Sequence, residues 1–174
     1  MSTGFTAAGE GVSITLDVGE VSVLTSLVAQ ILSLVEPGVT GEDPLERALG
    51  IGSGEVPSDP VLARLFPSAY AEDDEAAGEF RRYTEATLRE GKRADARTLL
   101  ETAEPGVVEL TAEQAQAWLR ALNDVRLALG VRLGVTEQIH DEMAEMSEED
   151  PRYPALAIYE WLTYLQDTLV RALW

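Results

Sequence analysis

A short alternating segment followed by a capped amphipathic helix occurs twice in this chain, and this repeat constrains the fold most. The first unit opens at residues 14–20 and the second at residues 108–114. In each, a favoured N-cap residue, Asp17 or Thr111, stands three positions before a glutamate or glutamine, which is the spacing of a capping box. A long run of apolar residues at three- and four-residue steps follows each cap. The repeat predicts two strands, paired in one sheet, that lead into two long helices.

Capping and helix-breaking residues divide the rest of the chain into shorter helices. Asp-Pro pairs at 43–44 and 59–60 supply an N-cap and a first helical residue. An acidic run at 72–75 suits the positive end of the following helix, which Gly91 is expected to interrupt. Its inward side chains are predicted to be Phe80, Tyr83 or Thr84, and Leu88. The predicted helix stops early in the chain are Pro37 with Gly38, and Gly50. The predicted helices span residues 18–36, 44–49, 60–66, 74–90 with a helical continuation over 93–102, 111–133, 135–147 and 154–172.

Weak alternation predicts a small sheet beside these helices. Residues 5–7, 12–16 and 108–110 offer three short strands, and the glycines at 9 and 11 allow a tight link between the first two. The chain has no segment of linker composition. We therefore expect a mainly α fold: a single helical domain over residues 1–174, with five to seven helices, a two- or three-stranded β-sheet and an N-terminal β-hairpin-like segment.

Composition limits the possible functions. With 45% hydrophobic residues the chain can bury a core, but no apolar run is long enough to predict a membrane span. The net charge of −18 disfavours nucleic acid and anionic membranes as partners. No cysteine is present, which excludes disulfides, thiolate metal sites and cysteine nucleophiles. The start of the sequence does not resemble a secretory signal, so a cytoplasmic location is expected.

The sequence motifs that would indicate catalysis, metal binding or phosphate binding are incomplete. Glu137 and His140 have the Glu-x-x-His spacing of a di-iron helix, but that site needs a second histidine and His140 is the only one. A serine triad would also need His140, and no Gly-x-Ser-x-Gly elbow exists. The glycines at 50–54 lack the lysine and the hydroxyl residue of a phosphate loop. We predict no catalytic residue, no metal site and no cofactor, and expect His140 to face solvent.

Basic residues concentrate in one segment. Residues 79–97 hold six of the 13 lysines and arginines, against four acidic residues. One interpretation is a docking surface for an acidic partner or for the chain's own acidic segment 137–150; its candidate residues are Arg81, Arg82, Arg89, Arg93 and Arg97. The alternative is an ordinary solvated helix face, because Arg81, Glu85 and Arg89 have the spacing of an ion-pair ladder.

A second set of polar residues interrupts the apolar stripe of the second capped helix. Asn123, Asp124 and Arg126 lie close to its inward side. An unpaired buried guanidinium is costly, so we expect Arg126 to pair with an acid of the last helix, either Glu160 or Asp167. A ligand pocket built from the same groups is the alternative interpretation.

The last predicted helix is apolar on more than one face. Tyr159, Trp161, Tyr164 and Trp174 accompany its leucines. Such a helix is either central in its own domain or shared with another subunit. Centrality is the favoured interpretation, and a homodimer through this helix is the alternative.

Three blocks of sequence carry a family resemblance. They are Leu65-Phe66-Pro67-Ser68-Ala69-Tyr70 with residues 79–85, then residues 118–130, and then residues 159–166. Together the blocks resemble an actinobacterial family of domains of unknown function. The resemblance implies a small cytoplasmic bacterial protein whose gene commonly lies beside that of the ClpS protease adaptor. It implies no activity and no catalytic residue, and gene neighbourhood is only an association.

Three functional hypotheses follow from these patterns. The first is a non-enzymatic regulatory or adaptor protein that binds another, unidentified protein. The second is a small-molecule sensor with a pocket between the long helices near Asn123 and Arg126. The third is an enzyme that uses carboxylates or a divalent ion, since 31 acidic residues make close carboxylate pairs probable by chance.

Overall fold

Both predicted strand–helix units are present in the structure, a computed structural model that describes residues 2–36, 43–49 and 51–174. The mainly α fold is confirmed: the described residues form seven helices and three strands. Pro37, Gly38 and Gly50, the predicted helix stops, lie outside the described residues. None of the described helices combines the length and the apolarity needed to cross a bilayer. In chain order the elements are β1 (Thr6–Ala8), β2 (Gly11–Leu16), α1 (Val18–Leu34), α2 (Pro44–Ala48), α3 (Pro60–Leu65), α4 (Asp74–Thr102), β3 (Gly106–Leu110), α5 (Ala112–Leu133), α6 (Ile139–Glu145) and α7 (Tyr153–Leu173).

The two strand–helix units share one antiparallel sheet of order β1-β2-β3, as the sequence predicts. Val12 pairs with Leu110 and Ile14 with Val108. Because side chains alternate across a strand, these four residues point to one face, where all are buried. The sheet therefore covers the helices with one apolar face.

Helices α1 and α5, which follow the two strand units, begin at the predicted capping boxes. The Asp17 side chain accepts from the Glu20 amide while the Glu20 carboxylate accepts from the Asp17 amide. Thr111 and Gln114 make the same reciprocal pair at the start of α5. These caps satisfy amide groups that the first helical turn leaves free, so each strand passes directly into its helix.

Helix α5 lies at the centre of the core. It packs against α4, α7, α3 and α1, and its apolar stripe includes the fully buried Trp118 and Leu122. The Phe5 ring meets the Trp118 ring edge-on at 5.8 Å between centroids, and Trp118 Nε1 donates to Thr102 Oγ1 at 2.7 Å. The indole is thus both packed and hydrogen-bonded, as a buried tryptophan requires.

Helix α4 differs from its prediction in two ways. It runs unbroken for 29 residues through Gly91, so the predicted interruption there is wrong. Packing against α1 and α5 outweighs the roughly 1 kcal/mol that a mid-helix glycine costs. The predicted inward direction of Phe80, Tyr83 and Leu88 is also wrong, because all three side chains are exposed.

Candidate functional site

The inward face of α4 is ionic in its middle and apolar at its ends. Arg81 and Arg89 are buried, and Glu85 between them is half-buried. Arg89 Nη2 lies 3.2 Å from Glu85 Oε1, so one ion pair of the predicted ladder is present. The prediction that the ladder lies on a solvated face is wrong, because its residues are buried or half-buried. The buried and half-buried members of this face, at three- and four-residue steps, are Ala77, Arg81, Glu85, Arg89, Lys92, Ala96 and Leu99.

The two buried arginines hold the ends of neighbouring helices. Arg81 Nη1 donates to the carbonyl oxygen of Phe66, the C-cap of α3, at 2.8 Å. Arg89 Nη1 donates to the carbonyl oxygen of Glu36, just beyond α1, at 2.9 Å, and its guanidinium lies 4.8 Å from the centroid of the Phe66 ring. Carbonyls at helix C-termini lack partners within the helix and carry partial negative charge, so a guanidinium suits them. Both arginines therefore serve to fix the fold.

The other three arginines of the predicted docking surface are paired with acids. Arg82 Nη2 lies 2.6 Å from Glu46 Oε1 of α2. Arg93 and Arg97 both approach Glu90, at 3.8 and 3.4 Å. Two of the five arginines are buried and the other three are paired with acids, so the five do not form one exposed positive surface. Binding of an acidic partner by the exposed members stays a prediction.

The outward face of the first half of α4 is instead apolar. Phe80, Tyr83 and Leu88 are 45%, 62% and 49% exposed, and Tyr70, just before the helix, is 49% exposed. The Tyr70 and Phe80 rings meet edge-on at 6.1 Å between centroids. We call these four residues the α4 apolar face. Groups of exposed apolar side chains on a folded protein mark interaction sites more often than single ones do.

A neighbouring segment that contacts α4 at Arg82 also carries exposed apolar side chains. An ion pair between Arg82 and Glu46, and a hydrogen bond of 2.8 Å from the Gly52 amide to the Arg82 carbonyl, attach Glu46 of α2 and Gly52 to α4. Among the described residues, that segment and the loop after it carry three further large exposed apolar side chains. These are Leu45, Leu49 and Val56.

A cavity of about 230 Å³ opens beneath the α4 apolar face. Its lining includes Phe66, Pro67, Phe80, Arg81 and Leu88, from the α3 end and from α4. Most of the surface is apolar, and Arg81 lies beside the Phe66 carbonyl to which it donates. Such a recess suits a single apolar side chain of a partner protein.

The predicted polar network is divided into two parts. Asp124 is buried, and Lys92 Nζ lies 2.7 Å from its Oδ1. Burial raises the pKa of the Asp124 carboxyl, and the hydrogen bond from Lys92 acts in the opposite direction. Separately, Gln166 Nε2 donates to Asn123 Oδ1 at 3.3 Å and joins α5 to α7.

Arg126 is half-buried but does not pair as predicted. Neither Glu160 nor Asp167 lies within 4.0 Å of its guanidinium; Glu160 Oε2 lies 3.4 Å from His140 Nδ1, and Asp167 Oδ2 lies 2.9 Å from Arg171 Nη2. The predicted ion pair is wrong because each acid has a nearer base. All three residues nevertheless line one polar cavity of about 470 Å³ between α5 and α7.

His140 itself faces solvent, with its side chain 71% exposed. Within residues 2–36, 43–49 and 51–174, no three histidine, aspartate or glutamate side chains come together as metal ligands would.

Helix α7 buries one side in the molecule's own core. Leu156, Leu162, Leu165 and Leu169 are fully buried, and Tyr164 donates from its hydroxyl to the Thr3 carbonyl at 2.8 Å. These contacts support the central position of the helix. A homodimer through α7 stays a prediction that sedimentation equilibrium tests.

Three residues that organise these sites were not predicted from the sequence. Phe66 contacts both Arg89 and Lys92, Lys92 binds Asp124, and Gln166 bridges to Asn123. The helical spacing of Ala77 and Leu99 with the charged residues between them is a signal that could have identified the inward face. No local signal identifies Phe66, because its partners are far away in the sequence.

Comparison with known proteins identifies the family. The model of the family described as Domain of unknown function (DUF2017) matches residues 2–173. The putative oxidative stress regulator AosR of Mycobacterium leprae is 35% identical, and the alignment covers 88% of this chain and 78% of that protein. The oxidative stress regulator AosR of Mycobacterium tuberculosis is 33% identical with the same coverage. No solved structure matches. The chain belongs to the DUF2017 family, which confirms the resemblance to an actinobacterial family of domains of unknown function.

Proposed function

We propose that this chain is a non-enzymatic regulatory protein that acts by binding another protein through the α4 apolar face. The observation that carries the proposal is the reversal of α4, which buries arginines and exposes Phe80, Tyr83 and Leu88. Complete burial of a large apolar side chain contributes roughly 1.5–3 kcal/mol, and these side chains, which are about half exposed, forgo part of it. A partner that covers them would recover part of that free energy.

The mycobacterial relatives support a regulatory role, since they are named as oxidative stress regulators. The 174 residues contain no cysteine, so this chain has no thiol with which to detect an oxidant. In our proposal the partner detects the oxidant, and this chain supplies the docking surface. The position of the gene beside the ClpS adaptor stays a prediction.

Affinity capture with a matched pair of variants tests the proposal. The protein is immobilised and exposed to an extract of the cells that carry the gene, and captured proteins are quantified by mass spectrometry. Tyr83→Ser/Leu88→Ser removes apolar area from the α4 apolar face. Val107→Ser changes a residue on β3 that is as exposed as Tyr83, 62% for each.

We expect one or more proteins to be captured by the native chain and by Val107→Ser. The double variant should capture them at least about 10-fold less, because interface anchors typically contribute 1.4 kcal/mol or more. Circular dichroism should show both variants folded. Equal capture by the native chain and the double variant would contradict the proposal, as would a native chain that captures nothing specific.

A further inference from the structure

The outward face of α4 changes in side-chain size along its length. Its first half carries the large exposed side chains of Phe80 and Tyr83, whereas Gly91 and Ala94, also exposed, occupy the second half. Together with the exposed Thr87 these residues recur at steps of three and four, which places them on one side of the helix. One half of this face therefore projects, and the other half is recessed.

Gly91 is not explained by packing within the chain. In the part of the chain that the structure describes, a Cβ added at Gly91 would meet no atom outside the helix backbone within 4 Å. The residue borders a recess of about 450 Å³ between α4 and α5. A glycine in the middle of a helix is less stable than an alanine, and its usual benefit is that another backbone or side chain can approach closely. Such a close neighbour would have to come from another molecule.

We propose that a second copy of this chain binds the α4 apolar face, with the two α4 helices antiparallel about a two-fold axis near Thr87. Tyr83 and Gly91 stand four residues before and after Thr87, and Phe80 and Ala94 stand seven residues before and after it. In an antiparallel pair, the aromatic side chains of each copy therefore lie opposite the small residues of the other. Two-fold symmetric dimers are the commonest assemblies of identical chains.

The charges beside this face are complementary in the same arrangement. Glu79 and Arg97 are exposed and stand 18 residues, or five helical turns, apart, so they lie on the same flank of α4. A two-fold axis brings the same flanks of antiparallel helices together. Glu79 lies eight residues before Thr87 and Arg97 ten residues after it, so Glu79 of one copy and Arg97 of the partner subunit are offset by only about 3 Å along the axis. The dimer contains this pair twice.

A parallel arrangement would lack both kinds of complementarity. It would place Phe80 against Phe80, Gly91 against Gly91 and Glu79 beside Glu79. The net charge of −18 on each chain does not decide the outcome, because charges farther apart than about 8 Å are largely screened at physiological ionic strength. The opposite charges next to the antiparallel contact are close enough to act.

This inference rests on the proposed function in one respect, that the α4 apolar face binds protein, and it adds a means of regulation. A dimer covers the face in both copies, so another protein gains access to it only when the dimer dissociates. The two proposals can fail separately. Capture of other proteins tests the proposed function, whereas the mass of the purified chain tests self-association.

Sedimentation equilibrium of the full chain, at concentrations from about 1 μM to 1 mM, tests the inference. We expect the native chain to show a monomer–dimer equilibrium. Gly91→Leu fills the space opposite Tyr83 and should weaken the dimer at least about 10-fold, while leucine also favours the helix. Ala29→Leu, at an exposed position of α1, is the matched control and should dimerise like the native chain. A native chain that is monomeric throughout, or equal dimerisation of Gly91→Leu and the native chain, would overturn the inference.

A charge swap tests the antiparallel arrangement. Glu79→Arg and Arg97→Glu should each weaken the dimer about 10-fold, because each places like charges together twice. The double variant Glu79→Arg/Arg97→Glu restores opposite charges and should dimerise with nearly native affinity. This recovery is not expected if either residue only stabilises its own chain. A dimer that forms through α7 would be unaffected by all of these variants, and that result, or a double variant that does not recover, would overturn the arrangement.

Discussion

Helices α4 and α5 pack against each other, yet they bury opposite kinds of side chain in the middle of their inward faces. Apart from the buried Asp124, helix α5 buries apolar side chains such as Trp118 and Leu122, whereas the first half of α4 buries Arg81 and Arg89 and exposes its aromatic residues. In α5 the apolar periodicity of the sequence identifies the inward face. In α4 the same type of periodicity identifies the outward one.

The difference lies in what each helix faces. Helix α5 meets apolar side chains of the surrounding helices and of the sheet. The first half of α4 meets the ends of α1 and α3, where the carbonyls of Glu36 and Phe66 need donors. An alkyl side chain there would leave these carbonyls unsatisfied. A buried arginine is therefore favoured on α4 because it donates hydrogen bonds to the carbonyls that it faces. A leucine is favoured on α5 because it packs against the apolar side chains that it faces.

The largest loss of stability is expected when a buried apolar side chain of α5 is removed. Trp118→Ala should destabilise the protein by about 3–5 kcal/mol, since it leaves a large cavity and removes the partner of Thr102. Urea unfolding followed by circular dichroism measures this loss. Trp174→Ala, a change at an exposed tryptophan, is the control. A loss below about 1 kcal/mol for Trp118→Ala would mean that α5 is not the centre of the core.

The ion pair between the two helices should give the next effect. Lys92→Met leaves the Asp124 carboxylate buried without a cation, and we expect a loss of about 3 kcal/mol at neutral pH, near the low end for broken buried pairs. The Lys92 side chain is 22% exposed and that of Asp124 only 5%. Asp124→Asn should therefore cost less, because the lysine left behind reaches water.

The loss in Lys92→Met should depend on pH in a definite direction. Burial raises the pKa of Asp124 in the folded state, and removal of Lys92 raises it further. In Lys92→Met the folded protein then binds the Asp124 proton more tightly than the unfolded chain does. Protonation of Asp124 therefore adds to the free energy of unfolding fully below about pH 4, and this contribution is lost as the pH rises through the folded pKa. Urea unfolding over a pH series measures the effect. In Lys92→Met/Asp124→Asn the added pH dependence should vanish; if it persists, another group is responsible.

A smaller loss is expected at the arginine that joins α4 to the end of α1. Arg89→Met keeps much of the side-chain volume but removes the donor to the Glu36 carbonyl, the ion pair with Glu85 and the contact over the Phe66 ring. We expect destabilisation of about 2 kcal/mol, typical of a lost hydrogen bond from a charged group. Arg97→Met, an exposed arginine on the same helix, is the matched control. Equal unfolding free energies for the two variants would show that Arg89 does not fix the end of α1.

The comparison also explains how much the sequence could predict. The caps at Asp17 and Thr111, the shared sheet and the stripe of α5 depend on local spacing, and all are confirmed. The inward face of α4 depends on carbonyls that lie 15 and 53 positions away, which no local pattern reveals. The predicted partner of Arg126 was wrong because the choice depends on competition: His140 and Arg171 reach Glu160 and Asp167 at 3.4 and 2.9 Å.

The smallest effect is the one that most directly tests the reversal of α4. Tyr83→Ser should change the unfolding free energy by no more than about 0.5 kcal/mol, because the side chain is largely exposed. Leu99→Ala, on the inward side of the same helix, should cost about 2–5 kcal/mol. If Tyr83 faced the core, as the periodicity predicts, both variants would lose several kcal/mol. A stable Tyr83→Ser variant together with a destabilised Leu99→Ala variant would instead mean that Tyr83 contributes little to folding stability. Its side chain would then be available to contact a partner protein.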